Sequence, residues 1–166
     1  MILGQEWGDV RYFTKHNGIE GPRNPTNDTL RELIALLGID VGLPGDSRRM
    51  GVAFFTNAVL CLKDGGLQAK VRSEWFVHCA PFLRRQVENV SPRLLVCLGE
   101  RAYRGLAKTF DFPPGAFRDA VESSDGIQLS NRTRVFARYH CGKRIQNTYR
   151  PLDVQRQDWL RLVRFL

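Results

Sequence analysis

The sequence has few cysteines, and their spacing argues against two common kinds of site. The four cysteines, Cys61, Cys79, Cys97 and Cys141, are spread widely and form no CxxC pair. This spacing disfavours a zinc ribbon and the disulfide framework of a small secreted protein. The cysteine usage is instead typical of a protein from the reducing cytoplasm.

Long apolar runs, internal repeats and low-complexity tracts are also absent from the sequence. No apolar stretch is long enough to span a bilayer, and the N-terminus lacks the charged region and apolar run of a signal peptide. We therefore expect a soluble, cytoplasmic protein that does not associate with membranes. Its 166 residues, 43% of them apolar, suit one domain covering 1–166 with a single core.

Lysine is scarce although the chain is strongly basic. Positive residues outnumber acidic ones by 25 to 17, which gives a formal charge of +8, and only five of the 25 are lysine. Arginine favours planar, bidentate contacts with phosphates and bases. The composition therefore favours a polyanionic partner, nucleic acid first, and leaves a basic but inert surface as the alternative.

Apolar runs alternate with helical patterns along the chain. The runs are 1–3, 52–60, 94–98 and 135–139. Because they are continuous rather than alternating, they are typical of parallel strands covered on both faces. Strands that alternate with helices predict an α/β fold, a single-domain three-layer α/β/α sandwich with a central, mainly parallel four-stranded sheet.

Four helices and three loops are expected between and after these strands. The expected helices end at Gly38, end before Pro92, follow Gly99, and run from near Asp153 to the C-terminus. Segments rich in turn residues or without a period are expected to be surface loops, and they cover 8–27, 42–51 and 112–133. The first is long enough to be a candidate lid or substrate wall.

Polar residues lie at the end of each expected strand, at the edge where open α/β sheets bind ligands. They are Gly4-Gln5-Glu6-Trp7-Gly8-Asp9, Thr56-Asn57, Gly99-Glu100-Arg101 and His140-Cys141-Gly142. Asn57 stands out because a buried amide without partners costs about 1 to 3 kcal/mol. Its amide is suited to read a pyrimidine edge, and an Asn that ties down a neighbouring loop is the alternative.

Ionisable residues at the same edge suggest bond cleavage. His140 could donate a hydrogen bond to an oxygen that gains negative charge as a base departs. Glu6 or Asp9 could position an attacking water or stabilise a cationic sugar. Helix capping or a solvated loop charge is the alternative for both.

In order and rough spacing, these segments resemble the uracil-DNA glycosylase superfamily over nearly the whole chain. Gly4-Gln5-Glu6 is similar to the first motif of that superfamily, and Asn57-Ala58-Val59-Leu60 is similar to the strand whose Asn reads uracil. Tyr139-His140 lies where a His-Pro motif would lie. Residues 79–83 and 92–102 resemble the iron-sulfur (family 4-like) branch.

The resemblance implies a DNA base-excision repair glycosylase that flips uracil, or a related damaged base, out of DNA and hydrolyses its N-glycosidic bond. The implied catalytic residues are Glu6, His140 and Gln5. The implied base pocket comprises Asn57, Gly4, Gly8 and a stacking ring from Phe13 or Tyr12. Gly8 stands where the uracil-specific branch has a Tyr that excludes the thymine methyl, so we expect a pocket open to other bases.

The resemblance also implies that a loop, residues 142–147, enters the DNA. The implied DNA-binding residues are Gly142, Lys143, Arg144, Ile145 and Arg101. Arg144 or Ile145 would fill the space that the flipped base leaves. For Ile145, packing in the core is the alternative.

The cysteines bear on a cofactor that the resemblance raises. Cys61 and Cys79 match two of the four cluster ligands of the iron-sulfur branch, whose other two would lie upstream of the first motif. Two thiolates do not hold a four-iron cluster. We therefore expect no metal in the chain as given, with both thiols acting as small buried hydrophobes. A cluster is expected only if the native chain is longer at its N-terminus.

Two alternative functions fit the same sequence. One is a non-catalytic member that binds nucleic acid or a partner, favoured by a Glu6 longer than the usual Asp and by Cys141 in place of Pro. The other is an enzyme on free nucleotides or other small phosphorylated ligands. We expect a monomer, because an enzyme that acts on one flipped base needs no symmetry.

Overall fold

The computed structural model describes residues 1–8, 10–17, 24–42, 53–63, 65 and 69–166. These residues form a five-stranded sheet in the order β2-β1-β3-β5-β4. The strands are β1 (Ile2–Gly4), β2 (Phe55–Asn57), β3 (Leu94–Leu98), β4 (Ile127–Gln128) and β5 (Arg134–Arg138). All pairs are parallel except β4 with β5. The α/β prediction is confirmed, with five strands rather than four.

The described residues also form seven α-helices and a C-terminal 3-10 helix. The helices are α1 (Val10–Lys15), α2 (Pro25–Ala35), α3 (Ser73–Val90), α4 (Glu100–Phe110), α5 (Phe117–Glu122), α6 (Lys143–Thr148) and α7 (Leu152–Leu160), followed by the 3-10 helix Val163–Phe165. The four expected helices correspond to α2, α3, α4 and α7. The short helices α1, α5 and α6 were not expected.

Two of the three expected loops contain regular structure. Segment 8–27 contains α1 and the start of α2, and segment 112–133 contains α5 and β4. Elements of two to six residues leave no readable period, which explains why the turn-rich composition was misleading. Of segment 42–51, only Gly42 lies within the described residues.

The last helix is shorter than expected. Helix α7 ends at Leu160, and the chain then tightens into the 3-10 helix, where the Phe165 N–H bonds the Leu162 carbonyl. Trp159 and Leu162 are fully buried, whereas Val163 and Leu166 are exposed. The expected α-helix up to the C-terminus is therefore wrong for the residues after Leu160.

The sheet is buried on both faces, as the continuous apolar strands predicted. On one face Leu3, Leu95 and Ala137 pack against α3, α4 and α5. On the other face Ile2, Val96 and Phe136 pack with the apolar sides of α2 and α7. Since successive strand residues point to opposite faces, each strand contributes to both cores. Because β1, β2, β3 and β5 are parallel, their carboxyl ends lie at one edge of the sheet.

A buried charge network ties α7 to β5. Arg138 of β5 is 1% exposed and donates to the carbonyls of Val121 and Asp158. Desolvation lowers the pKa of Arg138 to about 10. Arg150 forms two hydrogen bonds of 2.8 and 2.9 Å with the buried Asp158 carboxylate. This network fixes the end of the strand that leads to His140.

Within the described ranges, no helix has both the length and the apolar character needed to cross a membrane.

Candidate active site

The polar residues expected at the strand edge lie there in the structure. Gly4 ends β1 and Asn57 ends β2, while Gly99 follows β3 and His140 follows β5 by two residues. Gly4 and Asn57 are direct register partners in the parallel pair. The edge of the sheet thus gathers residues that are far apart in sequence.

Asn57 lies against Gly4, and this approach requires glycine. A Cβ placed on Gly4 would overlap Oδ1 of Asn57. Any larger residue at position 4 would therefore displace the Asn57 amide or the strand that carries it. Gly4 therefore provides the space that the Asn57 amide occupies.

The Asn57 side chain has free hydrogen-bonding capacity. The residue is 9% exposed, yet its amide makes no hydrogen bond to any residue in the described part of the chain. An Asn that ties down a neighbouring loop would bond that loop. Since no such bond is found among the described residues, the amide keeps one acceptor and two donor hydrogens for a ligand.

Glu6 is held by a lysine that sequence reasoning missed. Nζ of Lys63 lies 2.6 Å from Oε1 of Glu6 and 2.8 Å from the Ala69 carbonyl oxygen. Lys63 is 3% exposed. A lone lysine six residues after Asn57 has no motif spacing, so only the structure connects it with the first motif.

The rest of the first motif lies beside Glu6. The Gln5 carbonyl accepts a 2.9 Å hydrogen bond from the Val59 N–H, while the Gln5 side chain is half-buried and bonds no described residue. Gly8 has φ of 92°, a left-handed conformation that favours glycine. Asp9 lies outside the described residues.

His140 is held in a defined tautomer. The Gly142 N–H donates to Nδ1 of His140 at 3.1 Å. Because Nδ1 accepts, the proton of the neutral ring lies on Nε2. The residue is exposed at the edge, but surrounding protein atoms desolvate the ring and lower the pKa of His140 below 6.5. At neutral pH the ring is therefore an uncharged donor through Nε2.

The loop that carries His140 is anchored by residues that the sequence did not point to. The Cys141 thiol bonds the Thr26 carbonyl of α2 at 3.4 Å, and the buried Gln146 amide bonds the Cys141 carbonyl. Gln146 also lies 3.5 Å from the Thr29 hydroxyl. Cys141, which replaces a Pro in the resemblance, thus helps to fasten this loop to α2.

Of the two expected stacking rings, Phe13 has a contact with the first motif. Phe13 makes an edge contact with Trp7 at a centroid distance of 6.0 Å, and α1 thereby packs on the residue after Glu6. Tyr12 packs on His16, the residue after the end of α1, at a centroid distance of 4.6 Å. Both Phe13 and Tyr12 are half-buried.

The segment expected to enter the DNA is a helix start rather than a loop. Gly142 is the N-cap of α6, and Lys143 and Arg144 are exposed in its first turn while Ile145 is half-buried. Gln146 stabilises the start of this helix. Its side-chain amide donates to the Cys141 carbonyl, and its backbone N–H donates to the Gly142 carbonyl. This corrects the expected loop conformation and leaves the two charges accessible.

Arg101 is already engaged with the protein. Its guanidinium donates to the Val71 carbonyl at 2.8 Å and lies over the Phe76 ring at 5.4 Å. These contacts hold the side chain against α3. Arg144, in contrast, makes no hydrogen bond or ion pair with the described residues.

Cys61 and Cys79 are neighbours, as the resemblance implies for two cluster ligands. Their sulfurs lie 3.4 Å apart, and a hydrogen bond with Cys79 together with desolvation raises the pKa of Cys61. Cys79 is buried, but Cys61 is exposed, so the expectation of two buried thiols is wrong for Cys61. Among the described residues, no three His, Cys, Asp or Glu side chains cluster as metal ligands. These two thiols do not fit a four-iron cluster by themselves.

Asn57 and His140 lie at the same sheet edge on well-separated strands. Their strands, β2 and β5, are separated by β1 and β3. Three strand spacings amount to about 14 Å between backbones.

Comparisons with known proteins agree with this arrangement. The family model of the uracil DNA glycosylase superfamily matches residues 1–163. A type-5 uracil-DNA glycosylase from Pyrobaculum aerophilum is 31% identical over 161 residues, which cover 87% of this chain and 67% of the relative. Since the match extends over nearly the whole sequence, the chain belongs to the uracil-DNA glycosylase superfamily.

Proposed function

We propose that this protein is a DNA base-excision repair glycosylase that hydrolyses the N-glycosidic bond of uracil, or of a related damaged base, in DNA. The observation that carries the proposal is the Asn57 amide, which is unpaired among the described residues and lies at the same sheet edge as His140, whose Nε2 is an uncharged donor. Membership of the superfamily and the similarity to a type-5 uracil-DNA glycosylase support the same reaction.

Asn57 would recognise the flipped base. Uracil offers a carbonyl acceptor next to an N–H donor, and the Asn amide offers the complementary pair. Because the amide has no other partner among the described residues, it loses no protein hydrogen bond when the base enters. Gly4 gives this amide its space, and Phe13 is the ring that we propose to stack on the base.

His140 would stabilise the leaving group. As the glycosidic bond breaks, negative charge develops on the base, and the Nε2 hydrogen of His140 can bond the base oxygen that gains it. A donor of this kind is worth about 100-fold to 1,000-fold in rate. The hydrogen bond from Gly142 to Nδ1 presents Nε2 without a change of tautomer during the reaction.

Glu6 would act on the sugar side, with Gln5 beside it. Its carboxylate can orient the attacking water and balance positive charge on the sugar. The water supplies a hydroxyl group to the sugar, and its proton neutralises the departing base. The 2.6 Å ion pair with Lys63 keeps the carboxylate in one place.

The basic surface would hold the DNA. Arg144 and Lys143 in the first turn of α6 are accessible for phosphate contacts next to the His140 loop, and Ile145 is available to fill the vacated space. Arg101 has a smaller role in this proposal because Val71 and Phe76 hold it. One flipped base requires one chain, so we propose that a cytoplasmic monomer acts on DNA.

The experiment that tests this proposal is base release from single- and double-stranded oligonucleotides that carry uracil, hypoxanthine or a thymine mismatch. Alkaline cleavage at the abasic site reports release. We expect cleavage at uracil, and also at other bases if Gly8 leaves the pocket wide. Binding to all substrates without cleavage would contradict the glycosylase and identify a non-catalytic nucleic-acid-binding member.

A further inference from the structure

Lys63 is a buried ammonium group near the candidate active site. Its side chain is 2% exposed, and it follows Asn57 by six residues. An ammonium group removed from water is strongly destabilising unless it is paired. A position of this kind is therefore occupied by lysine only where the surroundings compensate the charge.

The compensation comes from the first motif and from a neighbouring backbone carbonyl. Oε1 of Glu6 lies 2.6 Å from Nζ, and the Ala69 carbonyl oxygen lies 2.8 Å from it. The Glu6 side chain is 18% exposed, so its carboxylate lies between the buried ammonium and solvent. The ion pair thus links the buried ammonium of Lys63 to the partly exposed carboxylate of Glu6.

Backbone hydrogen bonds fix the main chain next to Glu6 and Asn57, but they do not fix the Glu6 side chain. The Ala58 and Val59 N–H groups each donate a 2.9 Å hydrogen bond to the carbonyls of Gly4 and Gln5. These bonds hold the two segments together up to Gln5. The Glu6 carboxylate lies three rotatable bonds from the backbone, and its hydrogen bond to Lys63 restricts them.

We propose that Lys63 is a positioning residue for the reaction and acts by fixing the carboxylate of Glu6. With Oε1 bonded to Lys63, Oε2 makes no hydrogen bond to the described residues and is left for a ligand. This inference rests on the proposed function, because it assigns a partner to the carboxylate of the same site. A purely structural ion pair would stabilise the loop and leave the rate unchanged.

The test compares Lys63→Met with Lys108→Met, which removes the same charge from an exposed position in α4. The measurements are single-turnover uracil release at saturating enzyme, the Kd for uracil-containing DNA, and the melting temperature. Because misplacing a catalytic group by about 1 Å costs up to about 100-fold, we expect a 10-fold to 100-fold slower rate for Lys63→Met. The Kd should match that of Lys108→Met.

Two further variants separate positioning from stability. Lys63→Arg keeps a positive charge and should recover part of the lost rate. Lys63→Met added to Glu6→Gln should slow the reaction no further than Glu6→Gln alone, because both changes act on one carboxylate. An additive loss would overturn the inference, as would a Lys63→Met rate equal to that of Lys108→Met.

If Lys63→Met does not fold, Glu6→Asp decides the question. It keeps the carboxylate but shortens its reach to Lys63, so we expect a loss of about 10-fold with little change in melting temperature. A wild-type rate for Glu6→Asp would overturn the inference. A wild-type protein that releases no base would overturn the proposed function and this inference together, whereas an active wild type with unaffected variants would overturn the inference alone.

Discussion

Asn57 and His140 lie at the same sheet edge but differ in their hydrogen bonding. The Asn57 amide is unpaired among the described residues, whereas His140 already uses Nδ1 to accept from Gly142. An unpaired amide is suited to reading a ligand, because it gives up no existing bond. A ring with one nitrogen engaged is suited to a fixed donor role. We therefore propose separate functions for the two residues, recognition for Asn57 and leaving-group stabilisation for His140.

Replacing Asn57 by Asp should weaken uracil recognition. The carboxylate lacks the NH2 donor and places negative charge beside the base carbonyl, so we expect uracil release to fall about 10-fold to 100-fold. The measurement is kcat/KM for uracil-containing DNA. Asn89→Asp, on the exposed side of α3, is the control for the added charge. Equal activity of the two folded variants would remove Asn57 from the pocket.

His140 should titrate below pH 6.5, because desolvation lowers its pKa. Protonation of Nδ1 would also break the hydrogen bond from Gly142. Base release should therefore be constant near neutral pH and fall as the pH drops through the lowered pKa. The unfolded chain binds this proton more readily, so the His140 contribution to the free energy of unfolding also falls with acidification.

NMR titration of the imidazoles measures this prediction directly. A measured His140 pKa at or above 6.5 would contradict the desolvated, neutral ring.

The sequence located some site residues and not others for a physical reason. Asn57 and His140 could be found because they follow apolar strands, whose ends meet at one edge. Lys63 and Gln146 act through tertiary contacts over 57 and 117 residues of sequence, respectively, and no local pattern encodes such contacts. The exposure of Cys61 was likewise not predictable from its residue type, because it depends on where Cys61 lies after β2.

At the scale of elements, the His140 loop depends on what lies on both sides of it. Before it, β5 is fixed to α7 through Arg138, Asp158 and Arg150. After it, α6 is fixed to α2 through Gln146. The loop is therefore held at both ends, which limits the positions that the His140 ring can adopt.

Removing Asp158 should destabilise the whole domain. Its carboxylate is 2% exposed and pairs with Arg150, which is 18% exposed. Losing one partner of such a pair costs about 3 to 5 kcal/mol, because the other charge is left uncompensated. Urea unfolding of Asp158→Ala measures the change. Glu100→Ala breaks an exposed pair with Arg104 and should cost only about 0.5 kcal/mol. Similar costs for both variants would contradict the role of the buried network.

Apart from the three-residue strands β1 and β2, the elements that the sequence predicted are those with enough residues to show a pattern. The five residues of β3, the five of β5 and the 18 of α3 were readable. Strand β4 has two residues, and α1, α5 and α6 have six each. Tertiary hydrogen bonds and packing decide such short elements, so turn-rich composition was not sufficient to exclude them.

At the scale of the whole molecule, the formal charge of +8 favours a polyanionic partner, and the salt dependence of binding separates DNA from a small nucleotide. Binding through several phosphates releases counterions, so the Kd for an oligonucleotide should rise steeply with salt. A site for a free nucleotide would respond weakly. Fluorescence anisotropy over a range of salt concentrations measures this slope.

Arg144 should account for part of that salt dependence. Arg144→Ala should reduce the slope of log Kd against log salt by about one, because one phosphate contact is lost. Arg118→Ala is the matched control, since Arg118 is exposed on α5 and bonds Glu122 at 3.1 Å. The same reduction in both variants would place the DNA elsewhere on the surface.

The most direct measurement is free uracil released from a uracil-containing oligonucleotide in a single turnover, by the wild-type protein and by His140→Ala, with His78→Ala as the control. The expected result is release by the wild type and by His78→Ala, and a rate about 100-fold lower for His140→Ala. No release by the folded wild type, or equal release by all three proteins, would contradict a glycosylase that uses His140 to stabilise the departing base.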